Sequence, residues 1–277
     1  MILHAFKRYE RKFLLDESQL LSLLPLLTEH MDYDEYCPNG ARYTVHDLYL
    51  DTPDRAIIRR CLQSPYFKEK LRLRYYNQIE KESDPCFLEY KKKIGKLGNK
   101  RRAQLSLRDA RAFLLHDAPL QNADYMTRIV LDEIRCFLDG RRVQPAADID
   151  YVRLAMFGKD DPQMRLTVDT EICARVQLPG ESFRRTIQLV PRGSYLLEIK
   201  VPEALPLWLT HALDALGVYP VSHSKYGRAY QLALRQRLEE SDAAEAAENG
   251  EADAKSARVP NHATQTDHRP SNIRQAV

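Results

Sequence analysis

What most constrains this chain is the regular alternation of charged and apolar side chains over short segments. In Lys70-Leu71-Arg72-Leu73-Arg74-Tyr75-Tyr76 the period of two puts Lys70, Arg72 and Arg74 on one face of a strand and Leu71, Leu73 and Tyr75 on the other. The same rule aligns Glu89, Lys91 and Lys93 in Phe87–Lys93, and Arg8, Glu10 and Lys12 near the start. It also aligns Glu198 with Lys200 opposite Leu197, Ile199 and Val201, and Arg165, Thr167, Asp169 and Glu171 in one row. Several strands therefore each present basic groups beside a carboxylate.

Strand patterns of this kind recur near 4–15, 42–51, 68–78, 85–94, 99–105, 127–139, 145–157, 163–173, 183–190 and 194–201. That is too many strands for a doubly wound sheet. Helical spacing is found at 16–30, 53–63, 106–117, 203–217 and 223–239, with Ser106 or Ser222 as N-caps. Pro38-Asn39-Gly40, 95–99, Asp139-Gly140 and 191–193 supply turns. With no repeat and no internal linker, the expectation is one α+β domain over 1–238. From Glu239 to Val277 there are 8 acidic and 4 basic residues, many Ala and no Phe, Tyr or Trp, so this stretch cannot bury enough apolar surface to offset its ordering entropy. It is expected to be a disordered tail.

With 44% hydrophobic residues among 277, the chain can bury a full core, which rules out fibrous and wholly disordered classes. Charge begins at Lys7 and no apolar leader follows; no apolar run nears the ~20 residues of a membrane span. A cytoplasmic protein is expected. Cys37, Cys61, Cys86, Cys136 and Cys173 are odd in number and never spaced as Cys-x-x-Cys, which argues against disulfides and zinc and for buried free thiols. His46 and His223 lack metal-ligand spacing, and Trp208 reads as a core anchor on a helix.

Any single charged row is also what the solvated face of an ordinary antiparallel strand looks like, with cross-strand ion pairs worth roughly 0.2–1 kcal/mol. Their sum is less ordinary. Between Lys68 and Arg102 there are 12 basic and 5 acidic residues, and cations that dense on neighbouring strands repel unless an anion is bound. A sheet closed into a barrel with these faces inward makes a basic tunnel suited to repeated phosphates. Phosphoryl chemistry then calls for a divalent cation such as Mg²⁺ or Mn²⁺ on oxygen ligands, with Glu198, Glu10 and Glu89 as candidates. No Gly-rich phosphate loop is present: Gly95-Lys96-Leu97-Gly98 lacks that spacing.

The order Arg8-Tyr9-Glu10-Arg11-Lys12-Phe13, Lys70–Tyr75, Phe87–Lys91, Arg165–Thr170, Leu196–Lys200 and Ser224-Lys225-Tyr226 resembles the VTC domain. This is the polyphosphate polymerase domain of the triphosphate tunnel metalloenzyme superfamily, and the likeness runs from about Ala5 to Leu234. It implies an antiparallel β-barrel tunnel with a basic interior and helices packed outside. By motif it assigns Arg72, Arg74, Lys91 and Lys200 to the transferred phosphates, and Lys12, Lys100, Arg153, Arg165 and Lys225 to phosphate binding. Glu198 corresponds to the metal-binding glutamate, and Glu10 is a second metal contact.

The implied activity is metal-dependent transfer of the terminal phosphoryl group of ATP to a growing polyphosphate chain. Positioning and charge neutralisation suffice for this without a protein nucleophile. Larger members carry a fused helical domain and membrane segments; here a separate membrane protein partner, and recruitment to the inner face of the membrane, are the corresponding expectations. Hydrolysis of tri- or polyphosphate in the same tunnel, and polyphosphate binding without catalysis, are the alternatives. Nucleic acid is a lesser one: Tyr75, Tyr76 and Tyr90 are interleaved with basic residues, but partly on the opposite face from Arg72 and Arg74.

Overall fold

The computed structural model describes residues 9–64, 66–95, 97–120 and 123–256. In chain order the elements are β1 (Tyr9–Leu15), α1 (Glu17–His30), β2 (Met31–Tyr33), a 3-10 turn (Pro38–Gly40), β3 (Tyr43–Asp51), α2 (Ala56–Gln63), β4 (Phe67–Tyr76), β5 (Pro85–Ile94) and β6 (Leu97–Ser106). There follow α3 (Leu107–His116), α4 (Tyr125–Leu138), β7 (Gln144–Gly158), β8 (Arg165–Val176), β9 (Arg185–Gln188), β10 (Tyr195–Val201), α5 (Leu207–Ala215) and α6 (Lys225–Ser256). By compactness the chain divides into Met1–Leu234 and Arg235–Val277. No helix among the described residues is long and apolar enough to cross a membrane.

All the strands belong to one antiparallel sheet in the order β1-β10-β8-β7-β3-β4-β5-β6, with β2 added to β7 and β9 to β8. The sheet curls into a half-barrel. Its end strands β1 and β6 are not hydrogen-bonded to each other, yet β1 and β5 meet through an ion pair, Lys91 Nζ to Glu10 Oε2 at 3.6 Å. The sheet edge at β1 is partly covered by the chain at Pro220–Val221, where the Val221 amide donates to the Lys12 carbonyl.

Strand alternation divides the side chains as expected. Leu71, Leu73, Leu88, Tyr90, Ala103 and Leu105 form the outer face of β4–β6 and pack on α3 and α4. Leu154, Leu166, Val168, Leu197 and Ile199 pack outward on α1 and α5, where half-buried Trp208 stacks on His30. The first turns of α6 instead sit on the concave face: Tyr226, Ala229, Tyr230 and Ala233 pack with Tyr49, Ile149, Ala174 and Val176, and Tyr226 stacks on Tyr49. Along β8 the concave face is thus charged up to Asp169 and apolar from Ile172 onward. A register shift in the β7–β8 pairing falls at this change, with Tyr151 of β7 facing the two residues Glu171 and Ile172 of β8, and Glu171 has φ 54°.

Several sequence expectations are corrected. The segment 127–139 is not a strand but helix α4, capped by the Asp124 side chain on the Thr127 amide; its β-branched Ile129-Val130 pair mimics a strand, while Val130, Leu131, Ile134 and Phe137 recur at helical spacing and are buried. Ser106 caps α3 as expected, whereas α6 is capped by Ser224, whose hydroxyl accepts from the Gly227 amide, rather than by Ser222. Helix α6 continues past Glu239 to Ser256, through the first part of the stretch expected to be disordered, where Ala and Glu dominate and favour helix. The rest of that stretch, and 4–8 of the first expected strand, lie outside the described residues. Of the thiols expected to be buried, Cys136 is exposed and Cys173 half-buried.

Asp51 ties three elements together at the bottom of the concave face. Its carboxylate is fully buried and accepts from the Ile57 and Ile58 amides at 2.9 and 3.0 Å, opening α2, and from the Tyr226 hydroxyl at 2.8 Å. Asp51→Ala strands buried donors on two helices, so urea unfolding is expected to show a loss of about 2–4 kcal/mol.

Candidate functional site

The concave face of the half-barrel carries charged side chains from β1, β3, β4, β5, β6, β7, β8 and β10 together with the chain entering α6. Two buried aspartates organise its floor. Asp47 on β3, 1% exposed, stands in register with Arg74 and accepts from Arg74 Nε and Nη2 at 2.7 and 2.8 Å and from Arg72 Nη1 at 3.0 Å. The Tyr151 hydroxyl completes the cluster, 2.7 Å from Arg74 Nη2. Asp169 on β8 stands opposite Arg153 of β7, accepts from its Nε and Nη2 at 2.7 and 2.9 Å, and takes Lys225 Nζ at 2.6 Å. Burial raises the Asp169 carboxyl, but Arg153 and Lys225 outweigh it and bring the group to about 2.

A third carboxylate, Glu89, gathers the cations of β4 and β6. Its Oε2 accepts from Arg72 Nε and Nη2 at 2.8 and 2.6 Å, and its Oε1 lies 2.7 Å from both Lys100 Nζ and Arg102 Nε. With its oxygens so engaged and only 2% exposed, Glu89 is a counter-ion for the arginines rather than a metal ligand. Burial raises its carboxyl and the surrounding cations more than reverse that, leaving it well below the usual range.

The remaining two carboxylates face each other across β1 and β10. Glu198 is in register with Lys12, and Glu10 with Lys200. Lys12 Nζ lies between the carboxylates, 3.1 Å from Glu10 Oε1 and 3.4 Å from Glu198 Oε2, and donates to the His223 carbonyl at 2.9 Å. Lys200 Nζ is 2.6 Å from Glu198 Oε1. Burial and the neighbouring Glu198 raise Glu10, and burial raises Glu198, but the surrounding lysines hold both below the ordinary value, Glu198 well below it.

Lys70 is the exception on this face. Half-buried beside Lys91, with which it is in register, it donates to Ser224 Oγ at 2.6 Å and has no carboxylate partner among the described residues. Burial, with the fields of Lys91, Lys12 and Lys68, lowers its ammonium to about 8. Lys100 is also lowered to about 8, by burial first, since Arg72 and Arg102 crowd the carboxylate it shares. Its side chain is 46% exposed, so solvent screens it. His223, one residue before the Ser224 cap, is lowered to about 4 by burial and by Lys225 and Lys12.

The residues expected from sequence are therefore brought together on one surface, in different states of readiness. Lys91, Lys200 and Lys100 have half-exposed side chains, and Arg72 and Lys12 are about one-fifth exposed. Arg74, Arg153 and Lys225 are nearly buried and committed to Asp47 or Asp169. Arg165 stands in register with Lys200 at the rim, 55% exposed and 3.7 Å from Asp34. Asp47, Tyr151, Arg102, Lys70 and Ser224 belong to the same surface and were not singled out as site residues; for Lys70 and Arg102 the sequence signal is membership of the same alternating rows.

A carboxylate-balanced, cation-rich concave face on a curled antiparallel sheet defines the class: an anion-binding half-barrel suited to chains of phosphate. The chain belongs to the VTC domain family, whose sequence model matches residues 7–234. No curated protein matches it. Among solved structures it is similar to a candidate adenylate cyclase from Bacillus halodurans, with 15% identity, TM-score 0.47, and coverage of 79% of this chain and 95% of that one. It is also similar to an adenylyl cyclase candidate from Hippeastrum described as having a dominant triphosphatase activity, with 18% identity, TM-score 0.47, and coverage of 80% and 94%. A Pyrococcus horikoshii protein matches at 15% identity and TM-score 0.39, over 82% and 99%.

The family implies a divalent metal. Among the described residues no three His, Cys, Asp or Glu side chains converge as a metal cage. Glu10 and Glu198 nonetheless fit a hard cation: they are two ionised carboxylates already sharing a positive charge, the Lys12 ammonium, and Mg²⁺ is commonly held by one or two carboxylates with phosphate oxygens and water completing the shell.

Two outcomes are expected. Asp47→Asn leaves buried Arg74 without its counter-ion and is expected to cost about 3–5 kcal/mol in denaturant unfolding, whereas Arg59→Ala, which removes an exposed pair with Asp54, is expected to cost under about 1 kcal/mol. A bound polyanion favours protonated Lys70, so above about pH 8 binding takes up a proton and affinity falls as pH rises. Titration calorimetry with tripolyphosphate across pH 7–10 is expected to show that fall, and Lys70→Met to flatten it.

Proposed function

We propose that this protein is a metal-dependent polyphosphate polymerase that transfers the terminal phosphoryl group of ATP to the end of a growing polyphosphate chain. The observation that carries the reading is Lys70: a half-buried ammonium with no carboxylate partner among the described residues, set among lysines that repel it and beside floor cations that are each balanced by an acid. Such a group is stabilised by an anion lying along the same row, and successive phosphates supply one at each step of the chain. Membership of the VTC domain family supports the choice of polyphosphate.

In this reading the buried carboxylates position and the partly exposed cations bind. Asp47 and Glu89 fix the Arg72 guanidinium from two sides, and Asp47 holds Arg74 flat beneath it, so phosphate oxygens meet donors already oriented. Lys91 and Lys200 approach from opposite walls, and Lys12, Lys100, Arg153, Arg165 and Lys225 extend the positive surface to either side. Glu198 and Glu10 would hold a divalent cation, Mn²⁺ or Mg²⁺, which when bound neutralises charge on the transferred group. Transfer between phosphates is helped mainly by alignment of donor and acceptor and by neutralisation of their charge, which this surface would supply without a protein nucleophile.

The test is incubation of the purified protein with ATP and Mn²⁺ or Mg²⁺, resolving ADP, free phosphate and polyphosphate. ADP with matching polyphosphate is expected. Free phosphate in its place identifies a hydrolase on the same surface, and no turnover favours a polyphosphate-binding module or a polymerase that awaits its partner. Glu198→Gln is expected to abolish turnover while sparing tripolyphosphate binding, and Arg72→Ala with Arg74→Ala to weaken binding itself. Equal loss of binding in both variants contradicts the assigned roles.

A further inference from the structure

The free end of the β5–β6 hairpin carries an apolar tip inside a basic collar. Ile94 and Leu97 are opposite partners at the end of the hairpin, 40% and 68% exposed, and Tyr66 beside them is 66% exposed. Tyr66 is seated by the turn: its carbonyl accepts from the Gly95 amide at 2.6 Å, and a Cβ at Gly95 would come within 3.2 Å of its ring. Gly95 has φ +57°, so glycine serves both the turn and the ring that covers it. Half-buried Phe67 backs the tip, with Arg60 5.0 Å and Lys92 5.9 Å from its ring centroid.

The collar is equally specific. Lys68 and Lys93 are cross-strand partners, like charges placed directly opposite, and among the described residues neither forms an ion pair; Lys92 stands opposite Glu69 without forming one. Between Glu89 and Asp109 the sequence contains no acidic residue.

Phosphate chains account for the collar but give exposed Leu97, Ile94 and Tyr66 nothing to bury against. An apolar protein groove accounts for the tip but does not call for lysines in such excess around it. An anionic bilayer surface meets both, with headgroups for the lysines and the acyl boundary for the tip. We infer that Tyr66, Ile94 and Leu97, with Lys68, Lys92 and Lys93, dock the protein on an anionic lipid surface. Lys93 lies on the same inner row as Lys91, so docking sets the open end of the basic surface against the bilayer. The inference goes beyond the proposed activity and does not depend on it.

The test is flotation of the full chain with phosphatidylcholine vesicles, with and without phosphatidylserine, in the absence of ATP. Binding to the phosphatidylserine vesicles alone is expected. Ile94→Ser with Leu97→Ser is expected to lower partitioning by about tenfold or more while tripolyphosphate binding stays unchanged. In a second variant, Leu97→Trp, tryptophan emission is expected to shift to the blue on adding the anionic vesicles. Failure of the unaltered protein to float, or equal flotation of the serine variant, overturns the inference. So does an oligomer in sedimentation that the serine variant disperses, which would give the tip to a second copy of the chain.

Discussion

Placing two aspartates beneath a sheet face crowded with lysine and arginine is the act on which the rest of the structure depends. Asp47 and Asp169 are each fully engaged by bidentate arginines, and each takes a second cation, Arg72 or Lys225. Without them the concave face would carry unbalanced charge in a setting too dry to tolerate it, and the sheet could not curl around it. With them, the deepest cations become fixed scaffolding, and the shallower ones keep their heads free.

The division of labour follows depth. At the floor, every guanidinium hydrogen bond already made is one that a ligand cannot recruit, so Arg74 and Arg153 shape the surface more than they grip what lies on it. At the walls, Lys91, Lys200 and Lys100 stand on long flexible stems with their heads partly open to solvent. Between these layers, Glu10 and Glu198 share Lys12, which makes that corner the place where one cation can be exchanged for another.

Much of this was legible in the sequence because period-two alternation states which residues share a face without any knowledge of which strands pair. The rows at Lys70–Arg74, Glu89–Lys93 and Glu198–Lys200 needed nothing more, and the six motifs in order pointed to the family. Asp47 was not legible: it is one of two acids in β3, and its importance comes only from the β3–β4 register that sets it against Arg74, 27 positions away. The reading of 127–139 as a strand failed for the opposite reason, since local β-branching was weighed above the buried stripe that α4 presents to the sheet. The helical stretch after Glu239 shows the limit of an argument from burial alone, because Ala and Glu favour a helix whether or not anything packs on it.

Among the described residues β1 and β5 are bridged by the ion pair of Lys91 with Glu10 and by the segment from Pro220 to Lys225, which borders β1 and sends Ser224 to Lys70. A seam stitched with side chains yields where a seam of backbone hydrogen bonds does not. An anion that took Lys91 and Lys70 would release both stitches, so the gap between β1 and β5 is where the half-barrel can widen without the loss of a backbone hydrogen bond.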